Sequence, residues 1–139
     1  MSDSPPVIRI AAAVIHDEAG RLLLVRKRGT EAFMQAGGKI EPDETPAAAL
    51  VRELREELGL VIAPESPRHL GQASAPAANE PDHVVEAALF GLTVSGSLIS
   101  GGEIEEIVWL DTRAAPSIML APLTRDHVLP HQAQWFAHG

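Results

Sequence analysis

The chain lacks cysteine and tyrosine, is poor in aromatic residues and contains no long apolar run. Without cysteine it forms neither a disulfide bond nor a thiolate metal site. Its apolar runs are too short to span a bilayer, and residues 1–6 lack the basic and apolar regions of a secretory signal. Lysine and arginine number 11 against 19 acidic residues, and the net charge of −8 disfavours non-specific binding to nucleic acid or anionic lipid. We therefore expect a cytoplasmic protein that binds neither nucleic acid nor membrane.

Length and composition fit one small globular domain. The 139 residues, 45% of them hydrophobic, are enough to bury a core. The sequence predicts a flexible N-terminal tail over residues 1–7, a single domain over residues 8–130 and a C-terminal tail over residues 131–139.

The most informative segment, residues 38–60, reads GKIEPDETPAAALVRELREELGL. Thr45 suits the N-cap of a helix, and Pro46 suits its first position, where a missing N–H costs nothing. Gly59 suits the C-terminal stop. These signals predict a helix over residues 46–58.

One edge of this helix carries three glutamates beside an apolar stripe. At about 100° per residue, Glu53, Glu56 and Glu57 fall on a single arc next to the face that would enter the core. We therefore expect their carboxylates to converge at the rim of the core. The apolar stripe consists of Ala47, Leu50, Val51, Leu54 and Leu58.

The charged edge has a simpler interpretation as a solvated helix face. Spacing argues against it, because Glu53 lies three residues before Glu56 and four before Glu57, and each like-charge pair costs about 0.2–0.5 kcal/mol on an isolated helix. A divalent cation would reverse that repulsion. Hard cations such as Mg²⁺ take oxygen ligands from a few carboxylates, water and substrate phosphates, so the spacing favours a metal site.

The segment resembles the signature of the Nudix hydrolase family, G-x5-E-x7-R-E-U-x-E-E-x-G-U, in which U is apolar. The resemblance, to MutT-like members in particular, implies an α/β fold: an α/β/α sandwich with a mixed β-sheet flanked by helices. It also implies a hydrolase of phosphoric anhydrides that uses Mg²⁺, with Mn²⁺ as a substitute, and for which a homodimer is one expected state. The matched positions are Gly38, Glu44, Arg52, Glu53, Leu54, Glu56, Glu57, Gly59 and Leu60.

The resemblance implies that the helix carboxylates bind metal and catalyse the reaction. Glu53, Glu56 and Glu57 would be the main metal ligands, and the carbonyl of Gly37 would be an extra one. Glu56 or Glu57 is the first candidate for the general base, and Glu103 is the second.

Other positions of the signature are expected to be structural. Glu44 and Arg52 would form a pair that locks the preceding loop to the helix, and Gly38 and Gly59 would be the other structural positions of the signature. Many family members carry Pro-Gly-Gly where this chain has Ala36 and two glycines. That departure removes no ligand.

Basic residues near the signature are candidates for binding substrate. Lys39 follows two glycines whose backbone can approach a ligand closely, and it can meet a phosphate as a point charge. Arg26, Lys27 or Arg28, at the end of a predicted strand, would reach the base or the phosphates of a nucleotide.

Acidic residues outside the helix are less specific candidates. Family members often carry a downstream glutamate that binds metal or activates water, and Glu103 is favoured over Glu105 because it lies at the loop end of a predicted strand. Solvent-facing charges are the simpler interpretation of both. Glu86 is a lone charge in an apolar strand, either outward-facing or functional. The six histidines show no ligand spacing.

Strands are predicted on both sides of the helix. They are rich in β-branched and apolar residues, and turn-forming residues separate them. A short helix over residues 123–129 would end before Pro130. The predicted strands span residues 8–15, 21–27, 68–74, 83–94 and 104–110.

The substrate is less well defined than the bond to be cleaved. The absence of tyrosine removes the marker associated with dinucleoside polyphosphate hydrolases. The short chain and the Gly-Gly-Lys opening favour a MutT-like nucleoside triphosphate pyrophosphohydrolase, acting on normal or oxidised nucleotides. Pro76 falls near the position where ADP-ribose hydrolases carry a proline, so an ADP-ribose or nucleotide-sugar pyrophosphatase is the alternative. A non-catalytic ligand sensor is the alternative of another class, although such domains often have decayed signatures.

Overall fold

The computed structural model describes residues 5–114 and 116–137, which form six strands, two α-helices and one π-helical turn. Most of the predicted N-terminal tail and the last two residues therefore lie outside the described residues. No helix in the described ranges is long and apolar enough to cross a membrane. In chain order the elements are β1 (Val7–His16), β2 (Leu22–Lys27), β3 (Ala36–Lys39), α1 (Pro46–Leu58), β4 (Arg68–Pro76), β5 (Val84–Thr93), β6 (Ile104–Leu110), the π turn (Thr124–Val128) and α2 (Leu129–Ala137).

The strands form one mixed sheet in the order β4-β5-β1-β2-β6. The central strand, β1, runs parallel to β5 over its full length and pairs with β2 through His16 and Leu22 beside the turn. Where β2 diverges, the short strand β3 pairs antiparallel with residues 10–13 of β1. A strand with neighbours on both sides and cover on both faces must be apolar throughout, which explains the buried run over residues 11–15.

The two faces of β1 pack against different helices. Ala11, Ala13 and Ile15 pack with the apolar stripe of α1. Ala12 and Val14 point to the other face and pack with residues of the π turn and the segment before it. This alternation follows from the two-residue period of a strand. The sheet is enclosed between α1 on one face and α2 on the other, which confirms the predicted α/β/α sandwich.

Most predicted elements are confirmed. The ranges of β1, β2, β5, β6 and α1 agree with the predicted ones to within one residue at each end. The turn after β1 is closed by a 3.0 Å hydrogen bond from the Gly20 N–H to the Asp17 carbonyl. β4 extends two residues further than predicted, to Pro76, because its end pairs with the start of β5.

The segment around Gly37 and Gly38, where no strand was predicted, forms the short strand β3. Alanine and glycine have low strand propensity, so the local sequence gives no signal for β3. The strand exists because its backbone pairs with β1, which is a long-range contact.

The predicted stop before Pro130 is wrong. The chain passes through this proline from the π turn into α2, so residues 131–137, assigned to a tail from the sequence, are helical. Proline clashes with the carbonyl four residues earlier in a regular α-helix. Here the wider π turn precedes it, and the Leu129 N–H donates to the Thr124 carbonyl five residues back. Pro130 then occupies the first turn of α2, where its missing N–H is tolerated.

Candidate active site

Helix α1 presents the glutamates and begins and ends where the sequence predicts. The Thr45 hydroxyl oxygen accepts a hydrogen bond from the Ala48 N–H at 3.1 Å, which satisfies one free donor of the first turn. Gly59 adopts the left-handed conformation, with φ at 65°, and ends the helix. Leu50 and Leu54 are fully buried. Together these contacts fix the rotation of α1 about its axis and hence the position of its glutamate edge.

Glu57 is the most buried carboxylate of this edge, with 6% of its surface exposed. Its Oε1 accepts a hydrogen bond from the Gly37 N–H at 2.9 Å. Burial raises the pKa of Glu57 to about 7, although the Gly37 hydrogen bond opposes the rise. The negative charges of Glu53 and Glu103 raise the pKa further, and Lys27 lowers it. Glu57 is therefore a buried acid near like charges, and a cation would stabilise its ionised form.

Arg52 connects the loop before α1 to the glutamate edge. Its guanidinium donates two hydrogen bonds to Glu44, at 2.7 and 2.8 Å, and one to Glu53 at 2.7 Å. It also donates to the Lys39 carbonyl at 3.2 Å. The hydrogen bonds from Arg52 lower the pKa of Glu44 to about 2, so this carboxylate stays ionised. The structure thus contains the contact between Glu44 and Arg52 that the sequence predicted.

The two glycines of β3 bring its backbone against the glutamate edge. A Cβ atom on Gly38 would lie 2.6 Å from the carboxylate carbon of Glu53. A Cβ atom on Gly37 would lie 2.1 Å from the carbonyl oxygen of Ala11, and the φ of Gly37, 142°, is one that other residues rarely adopt. Position 37 has no room for a side chain against the backbone of β1, whereas a side chain at position 38 would displace the end of the Glu53 side chain.

A cleft lies along β3, and Gly37, Gly38 and Lys39 line it together with residues 76–80. Its apolar floor includes residues from the face of β1 that is turned away from α1. The backbone of β3 therefore lies between the carboxylates of α1, which contact it, and the cleft, which it borders. An apolar cleft with a few polar groups is typical of small-molecule sites. The remaining lining residues are Ile8, Ile10, Ala12, Lys27, Met34, Gln35, Val85, Ala121, Leu123 and Thr124.

The loop before β6 contacts the C-terminal end of α1 and brings the charge of Glu103, the second candidate for the general base, close enough to act on Glu57. The Gly101 N–H donates to the Glu57 carbonyl at 2.9 Å, at the C-terminal end of α1. A Cβ atom on Gly101 would lie 2.5 Å from the Glu56 carbonyl oxygen, so the approach requires glycine. The sequence signal for this contact is the glycine pair at positions 101 and 102.

A match over nearly the whole chain decides the family. The family model described as NUDIX domain matches residues 6–132, a range that contains α1, β3 and every residue that lines the cleft. The chain belongs to the NUDIX domain family. This confirms the resemblance drawn from the signature.

The curated relatives of this Nudix domain carry several substrate names. The 8-oxo-dGTP diphosphatase of Haemophilus influenzae is 41% identical over 59 residues, covering 40% of this chain and 43% of the relative. The ADP-ribose pyrophosphatase of Methanocaldococcus jannaschii is 28% identical over 112 residues, covering 78% and 65%. The CTP pyrophosphohydrolase of Escherichia coli is 47% identical over 58 residues, covering 39% and 42%. The chain thus spans less than two thirds of the length of each.

Solved structures share the Nudix fold seen here. A MutT protein from Methanosarcina mazei Go1 superposes with a TM-score of 0.77 at 22% identity, covering 97% of this chain and 99% of that one. The ORF135 protein of Escherichia coli superposes with a TM-score of 0.72 at 27% identity, covering 99% and 96%.

The three Nudix glutamates share one edge of α1 but do not converge as predicted. Glu53 turns to Arg52 at 2.7 Å, Glu57 turns to the Gly37 N–H, and the side chain of Glu56 is 58% exposed. Within residues 5–114 and 116–137, no group of three or more His, Asp or Glu side chains is placed to hold a metal ion. The reason is that like charges repel, so each carboxylate turns to solvent or to its nearest donor.

Nudix hydrolases generally use divalent metal ions, and the donors on α1 fit one. Mg²⁺ is usually held by one or two carboxylates with waters and substrate phosphates, so a preformed cage of three carboxylates is not required. Glu57 offers a buried carboxylate whose pKa is raised by burial and by Glu53 and Glu103. A hard cation would relieve that unfavourable charge.

The structure brings some of the predicted substrate-binding residues to the cleft and not others. Lys39 lines it, as does Lys27, but Arg26 and Arg28 do not. These two arginines form ion pairs with glutamates of β6, at 3.0 and 3.4 Å. The register of β2 against β6 shifts between Arg26 and Lys27, where β6 contains one extra residue, Glu105. Adjacent side chains of a strand point to opposite faces, so Arg26 and Lys27 differ in direction.

Two further acidic candidates lie in surface ion pairs. Glu105 contacts Arg28 at 3.4 Å, and Glu86 contacts Arg9 at 3.7 Å. All four side chains are more than a third exposed. Of the glutamates near β6, Glu103 is the one whose charge acts on Glu57.

Replacing Arg52 with lysine should lower the thermal unfolding midpoint by about 3–5 °C. One ammonium group cannot make the bidentate hydrogen bonds with Glu44 and also donate to Glu53. Arg113→Lys is the matched control, because Arg113 contacts a single exposed carboxylate, Asp111, at 3.0 Å. Exposed pairs contribute little, so the control should keep the wild-type midpoint. Equal midpoints for both variants, by scanning calorimetry, would show that Arg52 does not hold the loop.

The raised pKa of Glu57 predicts how the stability of the metal-free protein depends on pH. In the unfolded chain this glutamate ionises near pH 4.5, whereas in the folded protein it ionises near pH 7. Its contribution to stability is therefore complete below pH 4.5 and lost as the pH rises to about 7. The loss is about 3 kcal/mol. We expect Glu57→Gln to remove it, measured in EDTA as the difference in unfolding free energy between wild type and variant.

His16 has the opposite pH dependence and must be subtracted. Burial lowers its pKa, so the contribution of His16 to stability is lost as the pH falls. His16 is present in both proteins, and the difference between them cancels its effect. If the difference in unfolding free energy between wild type and Glu57→Gln is constant between about pH 5 and pH 7.5, Glu57 does not have a raised pKa.

Proposed function

We propose that this chain is a Mg²⁺-dependent hydrolase that cleaves the phosphoric anhydride bond of nucleoside triphosphates, with Mn²⁺ able to replace Mg²⁺. The observation that carries the proposal is that the backbone of β3 lies between the glutamate edge of α1 and the cleft. The Gly37 N–H donates to the buried Glu57 carboxylate at 2.9 Å. Gly37 and Gly38 also border the apolar cleft. A nucleoside in the cleft would thus carry its phosphates across β3 towards the carboxylates of α1.

Each part of the site has a distinct task. The apolar floor of the cleft holds the nucleoside, and Lys39 and Lys27 at the cleft contact its phosphates as point charges. Glu53, Glu56, Glu57 and the Gly37 carbonyl would hold the metal. A divalent cation held there would supply charge neutralisation at the phosphoryl oxygens and would lower the pKa of the attacking water.

A glutamate accepts the proton of that water. Glu56 and Glu57 are the first candidates for this base, and Glu103, whose charge already acts on Glu57, is the second. The water oxygen forms a bond to phosphorus, and the bridging oxygen leaves with the diphosphate fragment. The products are a nucleoside monophosphate and pyrophosphate.

ADP-ribose or a nucleotide sugar is the second candidate substrate. The relative named ADP-ribose pyrophosphatase aligns with 78% of this chain, more than the other two relatives. Pro76, the residue that suggested this substrate, lines the cleft. In this case the diphosphate lies in the same place and the products are two phosphate monoesters.

A substrate panel separates these possibilities. We expect purified protein with Mg²⁺ to release pyrophosphate from at least one nucleoside triphosphate, normal or 8-oxo, and to turn over ADP-ribose, dinucleoside polyphosphates and nucleotide sugars more slowly. Preferential turnover of ADP-ribose would support the second candidate. If no member of the panel is hydrolysed by folded protein, a ligand sensor without turnover is the better account.

A further inference from the structure

We propose that Gln35 and Thr124 select the base of the bound nucleotide, a role that rests on the proposed function. Both residues line the cleft, and both are buried, with 6% and 0% of their surfaces exposed. The floor around them is apolar and gives a base no directional contact. Other polar residues of the cleft, such as Asn79 and Lys39, are exposed to solvent. The buried pair is therefore the part of the cleft that can discriminate between base edges.

The neighbours of Gln35 fix the orientation of its amide. The Ala13 carbonyl can only accept a hydrogen bond, and it lies 3.5 Å from Nε2 of Gln35. The amide oxygen consequently faces Thr124, whose hydroxyl donates to it at 2.7 Å. The reverse orientation would place two acceptor oxygens against each other at Ala13. The short contact to Thr124 therefore holds the amide in one orientation.

This arrangement leaves hydrogen-bonding capacity for a ligand. The amide nitrogen has two protons, and its one contact within the described residues is long at 3.5 Å. Thr124 is fully buried and donates its proton to Gln35, so its part is to hold the amide in place. The pair thus offers the amide donor of Gln35, held by Thr124, which suits a base edge that presents an acceptor.

The backbone holds Thr124 in this place. Thr124 begins the π turn, and its carbonyl accepts a hydrogen bond from the Leu129 N–H five residues later. Such turns are rare, and many of them occur at functional sites. Gln35 lies directly before β3, whose glycines contact the carboxylates of α1. Gln35 is therefore continuous in sequence with the strand that contacts the glutamate edge of α1.

The test compares Gln35→Leu with Gln72→Leu, the same change at an exposed position of β4. We would measure kcat and KM with Mg²⁺ for ATP, GTP, CTP, UTP and base-free tripolyphosphate. For the preferred base, Gln35→Leu should lower kcat/KM about tenfold, through KM, while tripolyphosphate stays within about twofold of wild type. Gln72→Leu should match wild type on all five. An equal loss on tripolyphosphate, or an unchanged order of bases, would overturn the proposal.

Thr124 provides a second test if Gln35→Leu fails to fold. Thr124→Ser keeps the hydroxyl and should keep the wild-type order of kcat/KM among the bases, whereas Thr124→Val should make the kcat/KM values for the four bases more alike. Equal base preference in these two variants would overturn the role of the pair.

Binding without turnover separates this proposal from the proposed function. We would measure the shift in thermal midpoint with AMP, GMP, CMP and UMP. Wild type that hydrolyses no triphosphate refutes the proposed function. A base-dependent shift that Gln35→Leu removes still supports the pair, and a shift equal for all four bases in wild type refutes it.

Discussion

Glu57→Gln is expected to reduce Mg²⁺-dependent hydrolysis by about 10²- to 10³-fold or more, while the protein stays folded. Glutamine retains a side-chain oxygen that can accept from the Gly37 N–H, the contact made by Glu57 at 2.9 Å. It removes the negative charge that would bind metal or accept a proton. The fold should survive because a buried neutral amide replaces a carboxyl whose pKa burial already raises to about 7.

Glu65→Gln is the matched control for this variant. Glu65 lies after α1 and is exposed, so the same chemical change should leave kcat/KM and the thermal midpoint at wild-type values. Turnover would be followed as phosphate or pyrophosphate release at saturating Mg²⁺, with circular dichroism to check the fold. A folded Glu57→Gln protein with more than about a third of wild-type turnover would refute the assignment of Glu57.

Gly37→Ala is expected to destabilise the fold by about 3 kcal/mol or more, since two separate costs add. The φ of 142° is one that alanine rarely adopts, and the new Cβ would lie 2.1 Å from the Ala11 carbonyl oxygen. Relief of that clash requires β3 to move away from β1. The movement would break their pairing and the hydrogen bond to Glu57, so activity should be lost with stability. Urea unfolding of the metal-free protein measures the effect.

Gly71→Ala separates backbone strain from the clash. Gly71 also has a positive φ, 125°, but a Cβ there would meet nothing within 4 Å. Its cost should be that of strain alone, about 1–2 kcal/mol. If the two variants lose the same free energy of unfolding, close packing of β3 on β1 is not what requires glycine at position 37.

Local signals in the sequence were enough to predict α1. Thr45 and Gly59 cap the helix as predicted, and the leucine stripe is buried. These features depend on residues within a few positions of one another, which is why they can be read without the fold. The contact between Glu44 and Arg52, eight residues apart, was predicted differently, because the family resemblance supplied it.

Features that depend on long-range pairing were not predictable. β3 is a strand only because it pairs with β1, and Gln35 meets Thr124 across 89 positions of sequence. Side-chain directions were also not predictable. The spacing placed three glutamates on one edge, but Glu53 contacts Arg52 and Glu57 contacts the Gly37 N–H, so these two side chains point in different directions. The helix stop predicted at Pro130 was wrong because the chain forms a π turn before this proline, and the sequence around Pro130 gives no signal for that turn.

The most direct test of the account follows one nucleoside triphosphate by ³¹P NMR, with the folded protein first in EDTA and then with excess Mg²⁺. We predict no conversion in EDTA and, after Mg²⁺ is added, matched growth of nucleoside monophosphate and pyrophosphate signals that Glu57→Gln does not show. Conversion at the same rate in EDTA, or none with Mg²⁺ for any triphosphate or ADP-ribose, would contradict the claim that the glutamate edge of α1 cleaves an anhydride bond across β3.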